Sequence, residues 1–465
     1  MRKSNSLLTH VDWPLLASFF VLLFFGIATV YSVSFSEEHP NIFSLSEKYG
    51  KQMIWLGISL FLGLIIFLID ASIYVKYALL FYSATVVMLI VVLFMPPING
   101  ARAWIGIGSM GIQPAEFAKI STSLLLAKYI SELIIKQQTI KTVFYAVGIL
   151  FIPSILVAAQ PDAGTLIVFS SFLFVLYREG LTFDPIILRL LNLFRGLKFK
   201  STWIGSHFIP VLFVFLLLFA VTLKLNDSLF ELWFFPNIKI NGILFIVLIL
   251  AILSILSIVF FRVFSTKRDR PKILLVILLG FLILSSLVFL VNTSFNHLAK
   301  HQKNRIELVL GMKEDPNGND YNRNRAMAAV GSGGLTGKGY KKASVSSVRS
   351  NHVPESETDF IFCPFAEEWG FGGSIVLILV YLFMVLRILF IAERQRSVFI
   401  RVYAYCVAMI LFYHFAINIG MNIGLAPVIG IPLPFFSYGG SSVISFSIMI
   451  FLLLKLDSNR MDVLR

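Results

Sequence analysis

Long apolar stretches, separated by short polar segments, recur along this chain of 465 residues. An apolar stretch of about 17–25 residues crosses a bilayer as a helix, because the backbone there must satisfy its own hydrogen bonds. Twelve stretches fit this pattern, which predicts an all-α polytopic membrane protein with about 12 transmembrane helices. The stretches lie roughly at 14–34, 53–69, 77–95, 114–135, 142–159, 163–177, 207–223, 242–261, 273–291, 372–391, 399–418 and 432–454.

Composition supports this interpretation. Hydrophobic residues make up 57% of the chain and charged residues only 14%, whereas soluble domains carry about 25% charged residues. The chain has two cysteines, Cys363 and Cys406, and seven histidines. Their spacing fits neither a disulfide framework nor a metal-binding motif, so no metal ligand is predicted.

The net charge of +14 would suggest nucleic-acid binding in a soluble protein. Its distribution indicates topology instead. With twelve helices both termini share one side, which carries about 22 Lys and Arg, against about 5 in the four short loops opposite. We therefore predict that both termini are cytoplasmic, that the basic residues face the anionic lipid bilayer, and that nucleic acid is not a partner.

One predicted loop is much longer than the others. It spans 292–371, on the outer face between the ninth and tenth predicted helices, and loops of this size are usually functional or disordered. It contains a turn-forming run at 315–320, a helix-compatible stretch at Asn322–Val330, a glycine-rich run at 331–339 and an acidic segment at 355–359. This composition favours a functional role.

The glycine-rich run is not a nucleotide-binding phosphate loop. That motif needs a glycine where Ser332 stands and a Ser or Thr where Gly339 stands. A flexible backbone with free N–H groups beside Lys338 can still line an anionic ligand. A mobile surface loop without a ligand is an equally good interpretation.

Two ionisable residues lie within the fourth predicted helix. Glu116 and Lys119 are three residues apart and therefore share one helical face. Charged groups within a bilayer are costly unless they pair or line a watery cavity, which favours a functional site. A purely structural ion pair fits the spacing equally well.

Arg102 and Asp359 lie at predicted membrane surfaces. Arg102 precedes Trp104 and can hold a phosphate bidentately or anchor to a lipid headgroup. Asp359 lies where the long loop meets apolar residues, so it is either a partly desolvated catalytic carboxylate or a helix N-cap.

Three other acidic residues have structural interpretations. Asp162 is predicted to cap the sixth helix. The adjacent Glu367 and Glu368 should point to different helix faces.

A series of short motifs runs in a fixed order from about residue 99 to 442. They are Ala101–Ile105, Gln113–Lys119, Gln160–Thr165, His301–Ile306, Gly331–Gly334, Gly337–Gly339, Pro354–Phe362, Glu367–Phe371, Asn418, Gly424–Pro427, Gly430–Ile431 and Phe435–Ser442. Together they resemble the motifs of the SEDS family (shape, elongation, division and sporulation), and within it the rod-shape-determining RodA branch.

The resemblance implies a peptidoglycan glycosyltransferase that polymerises lipid II for cell-wall elongation and cell shape. It implies a multi-pass protein of the bacterial plasma (inner) membrane with its active site on the outer face. The implied partners are lipid II, a class B penicillin-binding protein that acts as transpeptidase, and other membrane proteins of the elongation complex. A lipid II flippase or other transporter, a division-branch polymerase and a non-catalytic scaffold are the alternatives.

The resemblance also assigns roles to residues. Asp359 corresponds to the family's favoured catalytic aspartate, and Glu116 and Lys119 belong to a family motif. Arg102, Lys119 and Lys338 are candidates for binding the substrate pyrophosphate, with or without a divalent cation, so the cofactor stays open.

This chain departs from the family pattern in three places. Ala115 replaces the usual serine, and Ala343–Val345 replaces a Gly-Thr-Gln sequence that many relatives have. The family core has ten helices, whereas this chain shows three predicted helices where the family has one. Residues 200–262 are therefore predicted as an inserted two-helix hairpin within a single membrane domain, 1–465.

Overall fold

The computed structural model describes most of the chain. The described residues are 11–35, 41–97, 102–106, 111–133, 138–192, 203–225, 228–232, 235–267, 269–297, 303, 307, 319–347 and 353–460.

Helices dominate the described residues, with a single pair of strands. The helices are α1 (Trp13–Val33), α2 (Lys48–Leu68), α3 (Ala71–Lys76), α4 (Ala78–Val92), α5 (Pro114–Glu132), α6 (Ile140–Ala158), α7 (Ala163–Ser170), α8 (Phe172–Arg178), α9 (Asp184–Leu191), α10 (Trp203–Ser206), α11 (Phe208–Leu225), α12 (Gly242–Phe264), α13 (Arg270–His297), α14 (Asn319–Ser332), α15 (Phe362–Glu393), α16 (Val398–Asn422) and α17 (Gly440–Ser458). The strands are β1 (Leu229–Leu232) and β2 (Phe235–Asn241).

Nine of these helices are long and apolar enough to cross a bilayer, counted over the described residues: α1, α2, α6, α11, α12, α13, α15, α16 and α17. The chain is therefore a multi-pass membrane protein. The third and sixth predicted stretches form shorter apolar helices, at Ala78–Val92 and Ala163–Arg178. The fourth predicted stretch forms α5. Its polar and charged residues give it a lower mean hydropathy than the nine candidate spans have. The count of twelve spans stays a prediction.

A short β-hairpin accompanies the all-α polytopic fold. β1 and β2 pair antiparallel, with Phe230 opposite Ile240, and a bulge follows Glu231. The segment had the sequence pattern of a strand, because Ile238 and Ile240 alternate with polar residues. A search for membrane-length apolar stretches does not detect a strand this short.

The chain forms two compact units. The first comprises Met1–Leu181 and Asn317–Arg465. In it α16 and α17 are mostly buried. Helix α5 packs against α4 and α16, α2 packs against α17, and both α1 and α14 pack against α15. The candidate site residues all lie in this unit.

The second unit is Thr182–Pro316, and it contains α9 to α13 and the β-hairpin. Helix α12 packs against α13, and α11 contacts both. Most of the surface of α12 and α13 is exposed, as suits apolar helices that face lipid. The predicted insertion, 200–262, falls within this unit. The single membrane domain for 1–465 stays a prediction.

The helix ends narrow the long connecting segment from the predicted 292–371 to 298–361. Helix α13 continues to His297, and α15 already begins at Phe362. Helix α14 confirms the helix expected at Asn322–Val330 and extends it at both ends. The motif at 301–306 and the turn at 315–320 lie mainly outside the described residues.

Candidate active site

Asp359 lies just before α15, but it does not cap that helix. The N-cap residue is Ile361, and no side chain makes the capping hydrogen bond. The Asp359 side chain instead lies against Gly430, where an added Cβ would be 3.2 Å from Asp359 Oδ2. Gly430 has a φ of 74°, a left-handed conformation that glycine adopts without strain. The carboxylate is thus available for a role other than capping.

Two buried asparagines on α16 hold the backbone at Asp359. Asn418 Nδ2 donates hydrogen bonds to Asp359 O at 2.8 Å and to Ile431 O at 2.7 Å. One turn later, Asn422 Nδ2 donates to Asn418 O at 2.7 Å and reaches Asp359 O at 3.4 Å. The two side chains fix Asp359 relative to the loop that carries Gly430.

Burial and acidic neighbours raise the pKa of Asp359 to about 7. Burial has the largest effect, because it disfavours the charged carboxylate. The negative charge and the side-chain hydrogen bond of Glu355 add to it, followed by the charge of Asp162. A carboxyl group with a pKa near neutrality can take up and release a proton at working pH.

Asp162 caps α7, as predicted. Its Oδ1 accepts a hydrogen bond from Thr165 N at 2.9 Å. Its Oδ2 accepts one from Gln113 Nε2 at 2.7 Å. This links α7 to the residue that immediately precedes α5.

Glu116 and Lys119 form a buried ion pair, with Lys119 Nζ 2.8 Å from Glu116 Oε1. Lys119 Nζ also lies 2.8 Å from His414 Nε2, and Ser445 Oγ donates to Glu116 Oε2 at 2.8 Å. The pair therefore joins α5 to α16 and α17. Lys119 is fully buried, and its hydrogen-bonding groups meet protein partners.

His414 completes this buried group, and sequence reasoning missed it. Its Nδ1 lies 3.1 Å from Pro432 O, so Nδ1 carries the proton and Nε2 accepts from Lys119. His414 precedes Asn418 by four residues, so both side chains lie on one face of α16 and both bind the 431–432 backbone. A histidine one helical turn before a motif asparagine, in an apolar helix, was the available signal.

Lys338 is engaged by Glu367, whose carboxylate is fully buried. Lys338 Nζ lies 2.6 Å from Glu367 Oε1. The backbone N–H groups of Ser344, Val345 and Ser346 donate to the same carboxylate at 2.8 Å, 2.9 Å and 2.9 Å, and the Ser346 hydroxyl adds a further bond. The Lys338 side chain expected to line an anionic ligand thus binds a carboxylate of the protein, together with the amides of 344–346.

The glycine-rich run packs against the start of α15. Lys338 N donates to Glu367 O at 3.0 Å, and Gly339 N donates to Glu368 O at 3.0 Å. A Cβ at Gly337 would lie 2.1 Å from Glu368 O, so only glycine permits this approach. Glu368 binds Ser32 and Lys341 N, which confirms that the adjacent glutamates point to different faces.

Arg102 is exposed, and its guanidinium donates to Leu93 O at 3.2 Å, beside the end of α4. Among the described residues, no hydrogen bond or ion pair joins Arg102, Lys119 or Lys338 to Asp359. The described part of the chain also contains no group of three or more His, Cys, Asp or Glu arranged to hold a metal ion.

Known proteins resemble this chain over nearly its whole length. A family model described as cell cycle protein, which covers FtsW, RodA and SpoVE, matches residues 13–207 and 208–462. The peptidoglycan glycosyltransferase RodA of Treponema pallidum is 28% identical over 471 residues, covering 97% of this chain and 98% of the relative. The peptidoglycan glycosyltransferase MrdB of Escherichia coli K12 is 28% identical over 437 residues, covering 94% and 90%.

A solved structure shares the fold. It is the structure of a peptidoglycan synthase complex that coordinates polymerization and crosslinking. One of its chains superposes with a TM-score of 0.65 at 21% identity, covering 98% of this chain and 99% of the other.

Proposed function

The chain belongs to the SEDS family of FtsW, RodA and SpoVE proteins and is a peptidoglycan glycosyltransferase, and we propose that it polymerises lipid II into glycan strands for cell-wall elongation. Both relatives described above are named peptidoglycan glycosyltransferases, and their similarity to this chain extends over nearly their full length. The motifs that favour the RodA branch of the family support elongation rather than division as the process.

We propose that the protein lies in the bacterial plasma membrane with both termini in the cytoplasm and Asp359 on the outer face. The excess of Lys and Arg in the segments assigned to the cytoplasm supports this orientation. We further propose a class B penicillin-binding protein as the transpeptidase partner, alongside other membrane proteins of the elongation complex. The likeness to a chain of a complex that both polymerises and crosslinks supports this partner.

Asp359 is the proposed general base. Chain growth requires the 4-hydroxyl of one sugar to displace the pyrophosphate at C1 of another, and the hydroxyl must lose its proton in that step. The observation that carries the assignment is a partly buried carboxylate with a pKa near 7 and no capping role, on a residue whose backbone oxygen Asn418 binds. Displacement at a single centre inverts the α-linkage of lipid II to the β-linkage of the glycan.

The departing pyrophosphate needs positive charge. Lys119 and Lys338 already have buried carboxylate partners, so we propose that they act indirectly, Lys119 with Glu116 by shaping the cavity and Lys338 by ordering the glycine-rich run. Arg102 and Lys342, a lysine shortly after the glycine-rich run, have exposed side chains, and we propose them as the direct ligands. A divalent cation brought by the substrate would supply the same charge.

The test uses purified full-length protein with labelled lipid II, in the presence and absence of the partner transpeptidase. Wild-type protein should make glycan polymer, and Asp359→Asn should fold and bind the partner but lose about 10²–10⁴-fold in rate, the usual contribution of a general base. Asp269→Asn, the same exchange in an exposed turn between α12 and α13, is the matched control and should retain activity. Polymerisation by Asp359→Asn near the wild-type rate would refute the base assignment.

A further inference from the structure

A small basic pocket lies at the end of the first unit where the described chain begins and ends. It has a volume of about 200 Å³, and its lining comprises residues 11–14 together with Arg387, Arg394 and Arg460. The pocket thus brings together the start of α1, the final turns of α15 and the end of α17. None of these residues has a part in the proposed transfer reaction.

Two buried carboxylates, those of Asp12 and Asp457, form ion pairs with the three arginines. Arg387 binds Asp12 bidentately, with Nε and Nη2 each 2.9 Å from a carboxylate oxygen. Arg394 Nη2 lies 2.9 Å from Asp12 Oδ2 and also binds Asp457. Three positive charges therefore face two negative ones, which leaves the pocket with an excess positive charge.

Several arginine N–H groups remain available. Arg460 contacts Asp457 only at 3.7 Å, and about a third of its side chain, 32%, is exposed. The Nη1 atoms of Arg387 and Arg394 make no hydrogen bond within the described part of the chain. A guanidinium offers five donors in a planar fork that matches phosphate oxygens. The pocket thus has both the charge and the donors for an anion with several oxygens.

Trp13 indicates where such an anion would come from. This residue lines the pocket and is 58% exposed, and α1, which starts at Trp13, is one of the nine candidate spans. Exposed tryptophans at the ends of membrane helices lie at the level of the lipid headgroups. Basic pockets between helix ends at this level recognise phosphate-bearing headgroups.

We propose that this pocket binds the phosphate of an anionic membrane phospholipid. The phosphodiester would accept hydrogen bonds from Arg460 and from the Nη1 atoms of Arg387 and Arg394, while Trp13 lies beside the headgroup. A bound lipid would connect the ends of α1, α15 and α17 more firmly than the two carboxylates do alone.

Native mass spectrometry of the full-length protein in neutral detergent tests the proposal, with phosphatidylglycerol and phosphatidylcholine as the probes. Phosphatidylglycerol should bind more tightly than phosphatidylcholine. Arg460→Gln should weaken its binding about tenfold, the loss expected for one charge-assisted contact. Arg460→Lys, which keeps the charge but not the fork, should recover part of it. The test variant is Arg460 because Arg387 and Arg394 also hold Asp12, so their removal can disturb folding.

Arg396→Gln is the matched control, because Arg396 is an exposed arginine just after α15, outside the pocket. It should bind phosphatidylglycerol like the wild type. Equal losses in Arg396→Gln and Arg460→Gln would overturn the proposal, since they would indicate general attraction to a basic surface. Equal binding of the two lipids would overturn it as well. Displacement of phosphatidylglycerol by an equimolar concentration of inorganic phosphate would make a free phosphate the ligand and overturn the lipid assignment.

Discussion

Asn418 donates a hydrogen bond from its side-chain amide to the backbone oxygen of Asp359 at 2.8 Å. The same nitrogen reaches Ile431 O at 2.7 Å, next to Gly430, which the Asp359 carboxylate touches. One buried amide thus connects the segment before α15 with the loop between α16 and α17. The proposed base owes its position to a residue on a different helix.

Asn418→Ala should lower kcat for polymerisation by about 10–100-fold with little change in KM, because a displacement of about 1 Å at a reacting group has this size of effect. Steady-state kinetics on lipid II measure both constants. Asn296→Ala, at an exposed position near the end of α13, serves as control. An unchanged kcat in folded Asn418→Ala would show that Asp359 does not depend on this bond.

The rate of polymerisation should rise with pH up to about 7 and then level off, because Asp359 acts only when deprotonated and its pKa is about 7. At one pH unit below that value, about one tenth of the molecules hold the base form. Glu355→Gln should move the inflection to lower pH, since it removes a neighbouring negative charge and hydrogen-bonding partner. Glu132→Gln, at an exposed position at the end of α5, should leave the profile unchanged.

The same pKa predicts a pH dependence of stability. In the unfolded chain Asp359 ionises near its ordinary value of 3.8, whereas in the folded protein it does so near 7. The folded state therefore binds more protons between these values, and the Asp359 contribution to stability falls as pH rises through that window. Thermal unfolding at pH 5 and pH 8 should show a smaller difference for Asp359→Asn than for the wild type. An equal difference would contradict the raised pKa.

The sequence predicted the membrane class, most of the helices and the position of Asp359, because apolar length and motif order are local properties. It predicted Glu116 as a partner of Lys119, but it did not predict His414 as the second partner or Glu367 as the partner of Lys338. Glu116 is three residues from Lys119, but His414 is 295 residues away, and Glu367 lies 29 residues beyond Lys338. Spacing identifies a charged side chain that needs a partner, but only tertiary packing determines which group provides it.

Lys119→Met should destabilise the protein by about 3–5 kcal/mol, because it leaves the Glu116 carboxylate buried without its cation. The combined variant Glu116→Gln with Lys119→Met removes both charges and should recover much of that loss in thermal unfolding. Polymerisation separates the roles further. Recovery of stability without activity would support a pair that shapes the substrate cavity, whereas recovery of both would support a structural pair alone.

Gly337→Ala should destabilise the start of α15 by about 1–3 kcal/mol and lower activity, because φ is 79° and the new Cβ would lie 2.1 Å from Glu368 O. Two glycines serve as comparisons. Gly334→Ala has a left-handed φ of 55° but free space, so it should have a smaller effect. Gly331→Ala, in α14 and with no atom within 4 Å of the new Cβ, should be neutral. Thermal unfolding of the three variants checks this order.

The predicted twelve-span topology can be tested with single cysteines and an impermeant thiol reagent applied from outside the membrane. Cysteines at Ser36, Asn226 and Asn317 should react, whereas those at Ser201 and Ser265 should not, because the Lys and Arg distribution assigns the latter two to the cytoplasm. Both native cysteines are buried and give a low background. Labelling at Ser265 would contradict the helix count and the orientation of the 200–262 segment.

The carboxylate of Glu367 also sets an order of assembly. Its backbone donors, at Ser344, Val345 and Ser346, are synthesised more than 20 residues before it. These three amides cannot reach their final partner until the first two turns of α15 are in place. The segment 344–346 therefore acquires its final shape late, after the helix that follows it has started to form.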